Sequence, residues 1–176
     1  SRAFYTEPFA NFLEKLSNIS GYESVLTMNT GAEAVETAIK AARRWGYFSK
    51  GIPEDKAEII VANGNFHGRT TTIISFSSDQ DARRNFGPYT HGFIKIQYND
   101  KEALEEALQL NNIVGVLIEP IQGEAGVNVP NEKFMQNVAK LCKEYNVLFM
   151  ADEIQTGIGR TGGLLAVCGN CSCQRD

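Results

Sequence analysis

Apolar residues in this chain recur at two different spacings, and the alternation between them outlines the fold. Phe9, Phe12, Leu13, Leu16 and Ile19 fall at the three-to-four-residue interval of a helix, which Gly21 closes. Ser24 to Met28 reads as a short strand. From Gly31 to Phe48 the interval is helical again, with Ala34, Val35, Ala38, Ile39, Ala42 and Trp45 on one face. Thr30 and Glu33 mark its start as a reciprocal cap, each side chain satisfying a backbone N–H. Apolar runs then predict strands at Glu58 to Ala62, Phe93 to Tyr98, Ile113 to Ile118 and Val147 to Ala151. A helix capped by Asn99 or Asp100 carries Leu104, Ala107 and Leu108, and Glu132 to Tyr145 is amphipathic. Continuously apolar strands alternating with helices predict an α/β fold, a mainly parallel sheet with helices on both faces. Ligands in such sheets sit beyond the carboxyl ends of the strands, so the strand ends are the places to look for chemistry.

Composition narrows the choice of function. The 176 residues are 43% apolar and 22% charged, enough for a single domain with a proper core. With 17 basic and 21 acidic side chains the net charge is −4, which argues against a nucleic-acid binder, since that role needs a basic stripe to neutralise phosphates. No apolar run approaches the ~18 residues of a membrane span, so a soluble protein is expected. Three of the four cysteines, Cys168, Cys171 and Cys173, crowd into the last nine residues, while Cys142 falls inside an amphipathic helix as a buried apolar residue. Three thiolates without a fourth ligand make a poor zinc site, and a reducing compartment is the simpler inference. The chain opens at Ser1 without a methionine, so any targeting segment is expected upstream.

Four strand ends carry the candidate chemistry. Asn29-Thr30-Gly31-Ala32-Glu33-Ala34 is a small-residue turn feeding a helix start, where unpaired N–H groups suit an anion and phosphate above all; it equally describes a plain, well-capped turn. Asn65-Phe66-His67-Gly68-Arg69 offers a stacking ring and a carboxylate clamp, or a core plug and a solvated charge. Glu119-Pro120-Ile121-Gln122-Gly123-Glu124 puts two carboxylates and an amide in one turn, more than a connector needs. Asp152 ends the last apolar strand, where partial desolvation demands a cationic partner. A nucleotide hydrolase uses such an Asp to hold metal, but the phosphate loop which that chemistry requires is missing, as is the dinucleotide fingerprint. The remaining reading is an Asp facing the pyridinium nitrogen of pyridoxal phosphate and keeping the ring protonated as an electron sink.

These four blocks, in this order, resemble the class III, fold-type I aminotransferases, and the resemblance runs from Ser1 to about Val167. Within that family, Ser1-Arg2-Ala3-Phe4-Tyr5, Arg44-Trp45-Gly46-Tyr47 and Phe86-Gly87-Pro88 are most similar to the ornithine-specific branch. The acetylornithine branch shares most of the blocks. The resemblance implies pyridoxal 5′-phosphate as cofactor. Gly31 and Ala32 would bind its phosphate, Phe66 would stack on its ring, Asp152 would pair with the ring nitrogen, and Gln155 would lie near the phenolic oxygen. Glu119 would belong to the polar shell, and Arg69 would bind a substrate carboxylate. Glu124 would mask a second arginine so that ornithine's δ-amine reacts first. His67 receives no fixed role. The implied reaction passes ornithine's δ-amino group to 2-oxoglutarate, giving glutamate semialdehyde and glutamate.

The same resemblance makes residues 1–167 part of a cofactor-binding large domain and 168–176 a divergent, Cys-rich tail. The intact protein is expected as a homodimer, cytoplasmic in a bacterium or in the mitochondrial matrix of a eukaryote. The family's cofactor-linking lysine would lie beyond Asp176, so no catalytic nucleophile is assigned. The 176-residue chain alone is expected to be inactive, contributing at most surface to a dimer.

Overall fold

Four parallel strands in the order β2-β1-β3-β4 form the centre of the molecule. The structure, a computed structural model, describes residues 4–167; Cys168, Cys171, Cys173 and the rest of the tail lie outside the described residues. In chain order the elements are α1 (Glu7–Ser20), α2 (Gly31–Phe48), β1 (Glu58–Ala62), two single-turn helices α3 (Ile73–Phe76) and α4 (Gln80–Arg83), β2 (Phe93–Ile96), α5 (Lys101–Leu108), β3 (Ile113–Ile118), α6 (Phe134–Glu144) and β4 (Leu148–Ala151). Among the described residues no helix is long and apolar enough to cross a membrane.

Helices cover both faces of the sheet, as the continuous apolar strands require. Val35, Ile39 and Ala42 of α2 pack with Ile59, Val61, Phe76, Val114 and Leu117 on one side. Leu104 and Leu108 of α5 and Met135, Val138 and Leu141 of α6 pack with Ile60, Val116 and Ile118 on the other. Neighbouring residues of β1 thus enter opposite layers, the two-residue period of a strand. In β3 that alternation breaks once. Glu58 pairs with Ile113 but Ile59 pairs with Gly115, so Val114 is an extra residue and everything after it changes face.

Local chemistry accounts for the element ends. Gly21 ends α1 in the left-handed conformation (φ 78°) that a residue without Cβ adopts at low cost. The Asp100 side chain accepts from the Ala103 N–H at 2.9 Å and starts α5. Thr30 accepts from the Glu33 N–H at 3.2 Å, but the Glu33 carboxylate reaches past Thr30 to the backbone N–H of Asn29 at 2.8 Å. The cap is therefore one residue wider than the reciprocal arrangement expected.

One expectation needs correction. Ser24 to Met28 is not a strand: it has no ladder partner among the described residues. Its residues Val25 and Leu26 line a groove of about 380 Å³ together with Phe149 of β4 and Leu165. The helix expected over Phe9 to Ile19 and closed by Gly21 is present as α1; along its apolar stripe Leu13 and Leu16 are half-buried while Phe9, Phe12 and Ile19 remain 41–51% exposed. The single turns α3 and α4 are too short for periodicity to reveal.

Candidate functional site

The carboxyl ends of β1, β3 and β4 converge with the N-terminus of α2 around one cavity of about 250 Å³. Gly31, Ala32, Phe66, Glu119, Glu124, Asp152 and Gln155 all line it, so parallel strands gather residues more than a hundred positions apart. Arg69 does not line it. Arg69 sits on an adjoining cavity, shared with Phe66, His67 and Glu124, its guanidinium carbon 5.2 Å from the centre of the Phe66 ring.

The floor of the cavity is a buried pair. Asp152 Oδ2 lies 2.6 Å from His67 Nδ1, with the two side chains 5% and 0% exposed, and Asp152 Oδ1 accepts from the Ile154 N–H at 3.1 Å. His67 Nε2 is buried without a partner among the described residues. An orphaned lone pair costs less than an orphaned N–H, so we assign the proton to Nδ1, which donates to Asp152. His67 is therefore a neutral donor that holds the carboxylate in place. Sequence reasoning left His67 without a role. No sequence signal marked it, because its partner Asp152 stands 85 residues away at the end of another strand.

Glu119 is the second buried acid. Its Oε2 accepts from the Phe66 N–H at 3.1 Å, tying the loop that carries the ring to the end of β3. Burial pushes its carboxyl up to about 8; the Phe66 N–H opposes that, and the charges of Asp152 and Glu124 add to it. The Tyr98 hydroxyl donates to the Glu119 and Pro120 carbonyls, both at 3.0 Å, and burial together with Glu119 raises its own pKa.

The remaining polar residues divide into supports and open groups. Buried Gln122 donates through Nε2 to the Asn63 carbonyl at 2.9 Å and exchanges backbone hydrogen bonds with Asn128, which makes it a brace for the turn. Glu153, also missed in the sequence, accepts from the Thr156 hydroxyl and from the N–H groups of Ala166 and Val167 at 2.5, 3.0 and 2.8 Å. It closes the loop that carries Gln155. The open groups are the N–H groups of Gly31 and Ala32, which precede the first intrahelical bond of α2 and have no partner among the described residues. A Cβ on Gly31 would come within 2.9 Å of the Ile154 side chain, so glycine lets the helix start this close to the β4 loop without displacing Ile154.

An anion-binding helix end, a half-exposed aromatic ring and a buried carboxylate around one cavity suit a flat, phosphorylated heterocycle with a basic ring nitrogen. Comparison with known proteins agrees. Residues 1–171 match the family model described as aminotransferase class-III. The ornithine aminotransferase of Brevibacillus brevis is 56% identical over 166 residues, covering 94% of this chain and 41% of that protein. Among solved structures, the ornithine aminotransferase of Toxoplasma gondii ME49 superposes with a TM-score of 0.94 at 48% identity, over 96% of this chain and 40% of the other. The acetylornithine aminotransferase of Elizabethkingia anophelis gives 0.82 at 56% identity, over 100% and 42%. The chain thus spans about two fifths of the length of the relatives it matches. By sequence, fold and the residues around its cavity, the chain belongs to the class III aminotransferases, a family that depends on pyridoxal 5′-phosphate.

Proposed function

We propose that residues 1–167 form part of the large, cofactor-binding domain of a transaminase that passes the δ-amino group of ornithine to 2-oxoglutarate, yielding glutamate semialdehyde and glutamate. The observation that carries this reading is the buried Asp152–His67 pair facing the open N-terminus of α2 across one cavity. Bound pyridoxal 5′-phosphate supplies an electron sink for the carbon that loses its proton next to the transferred nitrogen.

The chain's own residues bind and orient. The Gly31 and Ala32 N–H groups, at the positive end of the α2 dipole, hold the phosphate. Phe66 provides a face for the ring. Asp152, anionic and steadied by His67, holds a proton on the ring nitrogen through a charge-assisted hydrogen bond. Gln155 lies toward the phenolic oxygen, and Glu119 keeps the Phe66 loop at its distance from the sheet. Arg69 binds a substrate carboxylate in the adjoining cavity, and the Glu124 charge favours a substrate whose other end is an ammonium group. The intact protein is proposed as a homodimer in the cytoplasm, or in the mitochondrial matrix of a eukaryotic source.

Replacing Asp152 with Ala in the complete polypeptide is expected to lower turnover by about a thousandfold, because the fixed charge opposite the ring nitrogen is lost. Near-normal transfer by D152A overturns the reading. The likeness to the Elizabethkingia anophelis protein favours a second substrate, N-acetylornithine, and the ratio of kcat/KM for ornithine and its N-acetyl derivative decides between them.

A further inference from the structure

Arg69 is exposed and, among the described residues, forms no ion pair, so its guanidinium is open to a carboxylate. A long side chain binds at a defined place only if the backbone beneath it is fixed. Two anchors fix this one, and only Gly68 and Arg69 lie between them. On the near side His67 is tied to Asp152 at 2.6 Å, and the Phe66 N–H to Glu119 at 3.1 Å, both partners directly following strands of the sheet. On the far side the Thr70 hydroxyl donates to Glu36 Oε1 on the second turn of α2. The Thr70 carbonyl accepts from the Ile74 N–H at 3.0 Å at the start of α3. Gly68 bridges the anchors at φ 124°. A Cβ there would stand 3.1 Å from the Ala32 Cβ and 3.0 Å from Ile73 Cδ1, so the turn lies against α2 with no side chain between.

The two anchors serve different ends. The near one holds Phe66 and Asp152, groups assigned to the cofactor, whereas the Thr70–Glu36 contact touches neither. Both of its members are half-buried and its acceptor is a carboxylate, which makes it a stronger tie than a neutral hydrogen bond in water. Without it, the chain after Arg69 loses its reference to the helix whose N-terminus is assigned the phosphate. We propose that Glu36 is a positioning residue for substrate: through the Thr70 hydroxyl it registers Arg69 against α2, so that the guanidinium meets a carboxylate at a fixed distance from the cofactor cavity. This inference rests on the transaminase reading and adds to it a residue pair that the reading does not use.

The test compares the complete polypeptide with its T70V, T70S, E36L, R69A and T70V/E36L variants. The two amino donors are ornithine and 1,4-diaminobutane, which presents the same terminal amine and lacks the carboxylate. The readouts are the ratio of kcat/KM for the two donors and the affinity of each apo-protein for pyridoxal 5′-phosphate by absorbance titration. T70V keeps the size of the side chain and removes the donor. It is expected to lower the preference for ornithine about tenfold, chiefly through KM, with cofactor affinity kept within about threefold. T70S keeps the hydroxyl and is expected to stay within about threefold of the parent's ratio. E36L is expected to match T70V, and the pair to fall no further than either alone, because both remove one contact. A T70V ratio within about twofold of the parent's, T70S no better than T70V, or additive losses in the pair overturns the inference. If the parent transfers no amino group, or R69A keeps the parent's ratio, the reading of the site falls and this inference with it. If R69A loses the ratio while T70V keeps it, this inference alone falls.

Discussion

Replacing His67 with leucine tests the floor of the cavity without touching any group assigned to the cofactor. The substitution removes the 2.6 Å hydrogen bond to Asp152 and leaves that carboxylate, 5% exposed in its side chain, with only the Ile154 N–H among the described residues. Loss of a hydrogen bond to a buried charge costs about 2 kcal/mol, and leucine fills most of the volume that imidazole leaves. With an m-value of about 2 kcal/mol/M for a domain of this size, the urea midpoint followed by far-UV circular dichroism should fall by about 1 M. Asparagine at the same position is the control, since its amide nitrogen projects near the place of Nδ1 and can still donate. H67N is expected to recover at least about half of the loss. In a D152N background the H67L effect should shrink by about 1 kcal/mol or more, the coupling expected of a direct contact. A midpoint unchanged by H67L, or H67N no better than H67L, refutes the claim that His67 acts as a donor to Asp152.

Two further outcomes are expected. Glu119 titrates near 8 in the folded chain rather than near its ordinary 4.5, so between those values the native state binds the extra proton and stability falls as pH rises. E119Q removes that dependence: its advantage in urea midpoint over the parent should grow from about pH 5 to about pH 8.5, and an advantage equal at both refutes the assignment. Thr30→Ala deletes the hydroxyl that caps α2 and should cost about 1 kcal/mol, read as a fall of about 3 °C in melting temperature; an unchanged melt shows that the cap contributes nothing.

The elements that were legible in the sequence are those whose neighbours are dictated by period alone. α2, β1, β3 and α6 are long enough, or apolar enough, that one arrangement buries them, and their strand ends bring Phe66, Glu119 and Asp152 to one edge. What could not be read depends on partners distant in the chain. Ser24 to Met28 has strand-like residues but no ladder partner among the described residues, and a strand is defined by its partner. His67 shows its meaning only when the loop after β1 meets the end of β4, because a lone histidine near glycines carries no period. Arg69 was expected to bind a substrate carboxylate apart from the cofactor, and which cavity it lines depends on the positive-φ turn at Gly68 (φ 124°), which periodicity does not reveal.

The extra residue at Val114 has a bearing on how this architecture tolerates change. Because the strand skips a beat there, the register of everything downstream, including the acid at its end, is set by a count and not by the identity of any side chain. Conservative exchanges along that strand leave the phase intact. Removing a single position would rotate its second half by half a turn, burying what should face the opening and presenting aliphatic groups in its place. This stretch should accept many spellings but no change of length.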